Sequence, residues 1–176
     1  MNKFTLALLL ILCTIFISAC GAGDVGRPGY VSSQVESSND STELEKQQVV
    51  DDTAYKNNID GLRQYMLDGG YIAGEPTTMS AGIIGAAAGY KYEFRYKRAG
   101  IAVELYEYDL DNLNDKANSI INQINETGTF SIQNINVEST MSNNGKYIMI
   151  CRIDNNSSEM TERKQEITNA FVKFKA

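Results

Sequence analysis

Histidine is absent from all 176 residues. That absence constrains the chemistry more than any motif present. It removes the commonest general base and the commonest metal ligand. Ser-His-Asp, Cys-His and zinc–histidine arrangements go with it. Tryptophan is absent too, against ten tyrosines. Cysteine is scarce, with Cys13, Cys20 and Cys151 only. From Val49 onward Cys151 stands alone, so no disulfide can form within that stretch. The core alone must hold the fold, and about 125 residues suffice for that. Clustered positive charge is lacking as well. From Val49 onward 17 acidic side chains stand against 13 basic ones, which argues against nucleic acid as a partner.

What is present first is an address. Met1-Asn2-Lys3 carries one positive charge, and Phe4 to Ile17 is almost wholly apolar and uncharged. That is the n-region and h-region of an export signal. The run is too short to span ~30 Å of hydrocarbon, which takes about 20 apolar residues. It ends in Ile17-Ser18-Ala19-Cys20, an aliphatic residue, two small residues and a cysteine. This resembles the lipobox of bacterial lipoproteins. The resemblance covers residues 1–20 and implies diacylglyceryl transfer to the Cys20 thiol and cleavage before it. Residues 1–19 are then the signal peptide, and lipidated, palmitate-bearing Cys20 becomes the first mature residue. Two acyl chains anchor stably where one is marginal. The implied location is extracytoplasmic, lipid-anchored to the bacterial cell membrane.

Residues 20–48 follow as a tether, rich in Gly, Ser, Asn, Glu and Gln, with too little apolar surface to offset the entropy of ordering. Residues 49–176 read as a single α+β domain. Tyr55, Ile59, Leu62 and Met66 share one helical face from Asp52 to about Leu67, and Gly69-Gly70 ends it. Met79 to Gly89 is uncharged and small, with Ala81, Gly85 and Gly89 four apart. On a helix these form a smooth stripe resembling a glycine zipper; a short helix lying tightly on a sheet is the simpler expectation. Lys91 to Tyr96 and Ile101 to Tyr108 alternate as strands of a hairpin. Asp109 to Asn112 cap a helix to about Glu126, which Gly128 stops. Thr129 to Ile135 is a third strand. Asn143-Asn144-Gly145 turns the chain into a fourth, Lys146 to Ile153. Asp154 to Ser158 then cap a last helix through about Phe174. The order is helix, short helix, strand, strand, helix, strand, strand, helix. The expected product is a four-stranded, mainly antiparallel sheet with helices packed on one face. Its two halves look alike, with Asp109 and Asp154 at equivalent places.

The other face would carry Lys91, Glu93, Arg95, Glu104, Tyr106 and Tyr108. Tyr106 and Tyr108, flanked by Glu104, Glu93 and Arg95, form the candidate binding face, suited to a protein or glycan contact. The competing reading is a second layer, the first helix or the glycine-rich segment, lying over them. The Asp109-to-Asp115 run fails as a calcium loop, since Leu113 and Asn114 stand where a ligand and a glycine are needed. Gly82 and Gly85 lack the Lys-Ser/Thr of a phosphate loop. Glu104, Glu107 and Asp109 could pair as glycoside-hydrolysing carboxylates, but cross-strand ion pairs with Lys91 and Arg95 are simpler. Cys151 lies in the most apolar strand and reads as a buried, inert thiol. No catalytic, metal or cofactor site is assigned. The leading function is a non-catalytic binding domain for an envelope protein, a glycan or a small ligand. The alternatives are a carboxylate-based hydrolase of envelope material and a structural, oligomerising component.

Overall fold

A computed structural model describes residues 50–176. The expected signal peptide, the lipobox-like stretch with Cys20 and the expected tether lie outside the described residues. Among the described residues no helix is long and apolar enough to cross a membrane.

The α+β class holds, but the layout differs from the expected one. Helix α1 (Ile59–Asp68) starts seven residues later than its apolar periodicity suggests. Asn58 is the reason: its side-chain oxygen accepts from the Gly61 N–H at 2.9 Å and caps the first turn. Asp52–Ala54 form only a short 3₁₀ turn. Tyr55, off the helix, still packs edge-on against Tyr65. Gly70, at φ +66°, ends α1 as Tyr71 N–H returns to Met66 C=O at 2.8 Å.

Seven strands follow. β1 (Thr77–Thr78), β2 (Ala88–Tyr96) and β3 (Ala99–Glu107) precede α2 (Asp115–Thr127). β4 (Thr129–Ile132), β5 (Ile135–Glu138), β6 (Thr140–Met141) and β7 (Tyr147–Ile153) precede α3 (Ser158–Lys173). The main sheet has five strands, not four, in the order β1-β2-β3-β7-β6, and every pairing is antiparallel. The expected strand over 129–135 is instead half of a separate ribbon, β4 against β5. Gln133 and Asn134 both take positive φ, 49° and 66°, which folds the chain tightly back on itself.

Helices cover both faces of the sheet, not one. On the first face α1 and α3 bury Leu62, Met66, Ile167, Phe171 and Phe174 against Tyr92, Val103, Leu105, Tyr147 and Met149. On the second, α2 lays Ala117, Ile120 and Ile124 over Tyr106, Ile148 and Ile150. A 3₁₀ turn, Ala81–Ile84, joins that second layer. This placement separates the two look-alike halves. A two-fold axis exchanging adjacent antiparallel strands β3 and β7 stands perpendicular to the sheet. It would put α2 and α3 on the same face, and they lie on opposite ones. The likeness is therefore one of element order alone.

Two ties close the structure. Buried Arg163 on α3 donates to the Gly70 carbonyl at the end of α1, and its guanidinium stands 4.8 Å from the Tyr96 ring centre. The two ends of the domain are also clasped: Lys175 N–H donates to the Asp52 carboxylate at 2.5 Å. Asn144 adds side-chain N–H bonds to the carbonyls of Phe174 and Lys175.

Candidate functional site

The second face of the sheet is only half covered, and the uncovered half is where the predicted charged residues meet. Antiparallel register sets them in rungs. Lys91, Glu104 and Ile150 form the inner rung; Glu93, Ala102 and Arg152 the middle; Arg95 and Gly100 the outer, where Asp154 N–H donates to Gly100 C=O at 3.1 Å. Alternation along each strand points all of these to the α2 side. Helix α2 covers Ile150 and the rungs further in, and stops there. Beyond it the small residues Gly100 and Ala102 on central β3 lie between long side chains on β2 and β7. The result is a groove of about 400 Å³, lined by Lys91, Glu93, Gly100, Ala102, Arg152 and Asp154 among others.

Next to it lies a buried carboxylate. Glu104 is only 5% exposed. Burying an ion is costly unless it is paired and hydrogen-bonded. Glu104 has both: it accepts from the Tyr106 hydroxyl at 2.8 Å and pairs with the Arg152 guanidinium. At the rim Lys91 pairs with Glu93 at 2.5 Å. Asp154 accepts from Gly100 N–H at 2.9 Å, so its second oxygen is left towards the groove. Arg95 is exposed and donates to the Arg98 carbonyl at 2.9 Å.

The two tyrosines of the candidate binding face lie under a second layer, as the competing reading has it. Tyr106 is 6% exposed and Tyr108 is fully buried. Burial raises both phenols well above their ordinary range, and for Tyr106 the Glu104 carboxylate adds to the rise. Strand alternation identified their face correctly but carries no information about what lies on it. The glycine-rich segment does. Gly89, on β2, leaves room for the Tyr106 ring, since a Cβ there would sit 2.6 Å from a ring carbon. Gly85, at φ +74°, abuts the first turn of α2, where a Cβ would meet Ala117 N at 2.6 Å. Tyr108 O–H donates to the Ile84 carbonyl at 3.0 Å. Ala81, Gly85 and Gly89 thus form no helical stripe; Gly85 fits the first turn of α2, Gly89 fits the Tyr106 ring, and Ala81 is buried in the second layer. Tyr108→Phe is expected to cost about 1–2 kcal/mol, because the Ile84 carbonyl loses a buried donor. Urea denaturation checks this, and an unchanged midpoint would refute the bond.

The imagined carboxylate pair is also taken apart. Glu104 and Glu107 are three residues apart on one strand and so point to opposite faces. Glu107 accepts from Ile59 N–H at the start of α1, at 3.1 Å, and pairs with Lys146 at 2.8 Å. Asp109 holds its own turn, accepting from Asp111 N–H and the Asn112 side chain. It does not cap α2; Asn114 does, accepting from Ala117 N–H at 2.9 Å. Cys151 is 9% exposed, and burial pushes its thiol up to about 11, away from the reactive thiolate. Among the described residues no group of three or more Asp, Glu or Cys is disposed to hold a metal ion.

The groove itself went unread in the sequence. Its one signal is the pair Gly100 and Ala102, small residues on the polar side of a strand whose neighbours carry Glu93, Arg95 and Arg152. Compared with known proteins, the chain matches no family model, no curated protein and no solved structure.

Proposed function

We propose that this chain is a lipid-anchored, extracytoplasmic protein of the bacterial envelope whose domain is a non-catalytic binding module. The open half of the sheet is its contact face. The observation that carries the reading is the groove over Gly100 and Ala102. A three-stranded floor presents charged side chains of both signs to solvent, and among the described residues no helix covers them. Specific polar recognition needs groups held by regular structure; here Lys91, Glu93 and Arg152 are fixed by strand register, and Asp154 by its bonds to Gly100. The anchor rests on the likeness of Ile17-Ser18-Ala19-Cys20 to a lipobox.

Two measurements test the two parts separately. Radiolabelled palmitate is expected to enter the wild-type chain in cells and to be absent from Cys20→Ser. Equal labelling of both would sink the anchor. A photo-cross-linking amino acid at Ala102 is expected to form a discrete adduct with an envelope component. The same group at Glu162, exposed on α3, should form none. Identical patterns from both positions would remove the groove as the contact face.

A further inference from the structure

The loop between β6 and β7 ties down both ends of the domain, and one residue in it is chemically fragile. Asn143 N–H donates to the Val172 carbonyl at 3.1 Å, in the last turn of α3. Asn144 Nδ2 donates to the carbonyls of Phe174 and Lys175 at 3.4 and 3.3 Å. Lys146 Nζ donates to the Asn57 carbonyl at 2.7 Å, just ahead of α1. Beneath the loop the Phe174 ring packs against Tyr65 and Tyr147.

Asn144 precedes Gly145, and theirs is the one Asn-Gly step in the chain. Asparagine side chains are thermolabile. A glycine that follows has no Cβ to hinder its backbone nitrogen from attacking the side-chain amide. The Gly145 nitrogen then bonds to Asn144 Cγ, gives up its proton, and ammonia leaves. Water opens the resulting five-membered imide to aspartate or isoaspartate. The step needs no oxidant, metal or further reactant.

In the folded domain the groups of that step are engaged. The attacking Gly145 N–H donates to the Ser142 carbonyl at 2.9 Å. Asn144 Oδ1 accepts from Lys146 N–H at 3.0 Å, and the Ser142 hydroxyl stands 2.8 Å from it. The leaving nitrogen, Nδ2, is the one spent on Phe174 and Lys175. Those two carbonyls are held in turn by Asp52, which accepts from Lys175 N–H at 2.5 Å.

We propose that Asn144 is a modification site gated by the C-terminal clasp. It converts only in molecules whose residues 174–175 have come away, and its conversion weakens the closed form. The second half follows from the donor inventory. A carboxylate accepts and cannot donate, so it would face the Phe174 and Lys175 carbonyls with no N–H to give them. Isoaspartate also lengthens the backbone of a turn that Gly145 closes at φ +71°. Opening of the clasp is thereby recorded as a covalent change.

The test is incubation of the purified full chain at mildly alkaline pH, with peptide mass spectrometry reading amide-to-acid conversion at position 144. Conversion is expected to be at least roughly tenfold slower in the folded chain than in urea, because attack waits on a local opening. Asp52→Ala should speed it roughly tenfold in the folded chain, as loss of a bond to a charged group implies, and leave the rate in urea unchanged. Asp52→Asn, which keeps an acceptor oxygen, should fall between the two. In Asn144→Asp, hydrogen exchange at the Lys175 N–H should quicken by a similar factor. Equal rates in folded chain and urea would overturn the proposal, and so would a folded Asp52→Ala that converts no faster than the wild type. Unchanged exchange in Asn144→Asp would overturn the weakening of the closed form.

Discussion

Alanine at Gly61 is expected to destabilise the domain by about 2–4 kcal/mol, the sum of overpacking and a weakened cap. Helix propensity alone predicts the opposite, a gain of about 1 kcal/mol from replacing glycine inside a helix. Geometry decides. A Cβ on Gly61 would lie 1.9 Å from the carbonyl oxygen of Lys56, closer than any real contact. That oxygen is backbone and cannot swing aside as a side-chain tip would. Residues 56–58 would have to move together. Asn58 would lose its 2.9 Å cap on Gly61 N–H. Asn57 would shift from the Tyr147 hydroxyl, which donates to it at 2.8 Å, and from the Lys146 ammonium at 2.7 Å. Chemical denaturation of the wild type and Gly61→Ala measures the difference. A more stable variant would mean that the 56–58 approach is looser than described.

High pH is expected to unfold the domain cooperatively between about pH 10 and 12. Burial raises the Tyr65 phenol from 10.0 to about 12. It raises Tyr106, Tyr108 and Tyr147 further, and the Cys151 thiol from 9.0 to about 11. The sign follows from which state keeps its protons. Below the unfolded values both states are protonated, and the stabilisation is fully present. Above them the unfolded chain ionises while the folded one resists. Each such group then costs about 1.4 kcal/mol per pH unit until its folded value is reached. Five groups acting together exhaust a stability of about 5–15 kcal/mol within a unit or two. Tyrosinate absorbance near 295 nm and far-ultraviolet dichroism should therefore change in one step at the alkaline end. Full tyrosine ionisation with unchanged dichroism would show that these rings are reachable by hydroxide in the native state.

Much of the domain was legible because short-range chemistry sets it. Gly69-Gly70 and Gly128 end helices as their sequence places predict, and Gly128 does so at φ +69°. Ser157 caps α3 within the expected Asp154–Ser158 window. Alternation placed Lys91, Glu93, Arg95, Glu104 and Tyr106 on one face, as they are. What failed depends on distant partners. Periodicity carried α1 back to Asp52, although Asn57 and Asn58 hold the chain out of the helix. Gln133-Asn134 lacks the Asn-Gly signature of a tight hairpin, so ribbon β4–β5 passed for one strand. The chain gives no local sign that α2 crosses to the face opposite α3. That crossing buries Tyr106 and leaves Gly100 and Ala102 half-buried. The face carrying the candidate residues was therefore legible, and which half of it the helix covers was not.

The clasp between Asp52 and Lys175 has a mechanical consequence. Tension arriving along the chain at residue 50 meets the short turn at 52–54 before any strand of the main sheet. Among the bonds that bear it are the Lys175–Asp52 contact and, behind it, the Asn144 bonds to the Phe174 and Lys175 carbonyls. These lie outside the β2-β3-β7 ladder. A pull at residue 50 is thus expected to be taken up where the two ends of the described domain meet, before it reaches the three strands that floor the groove.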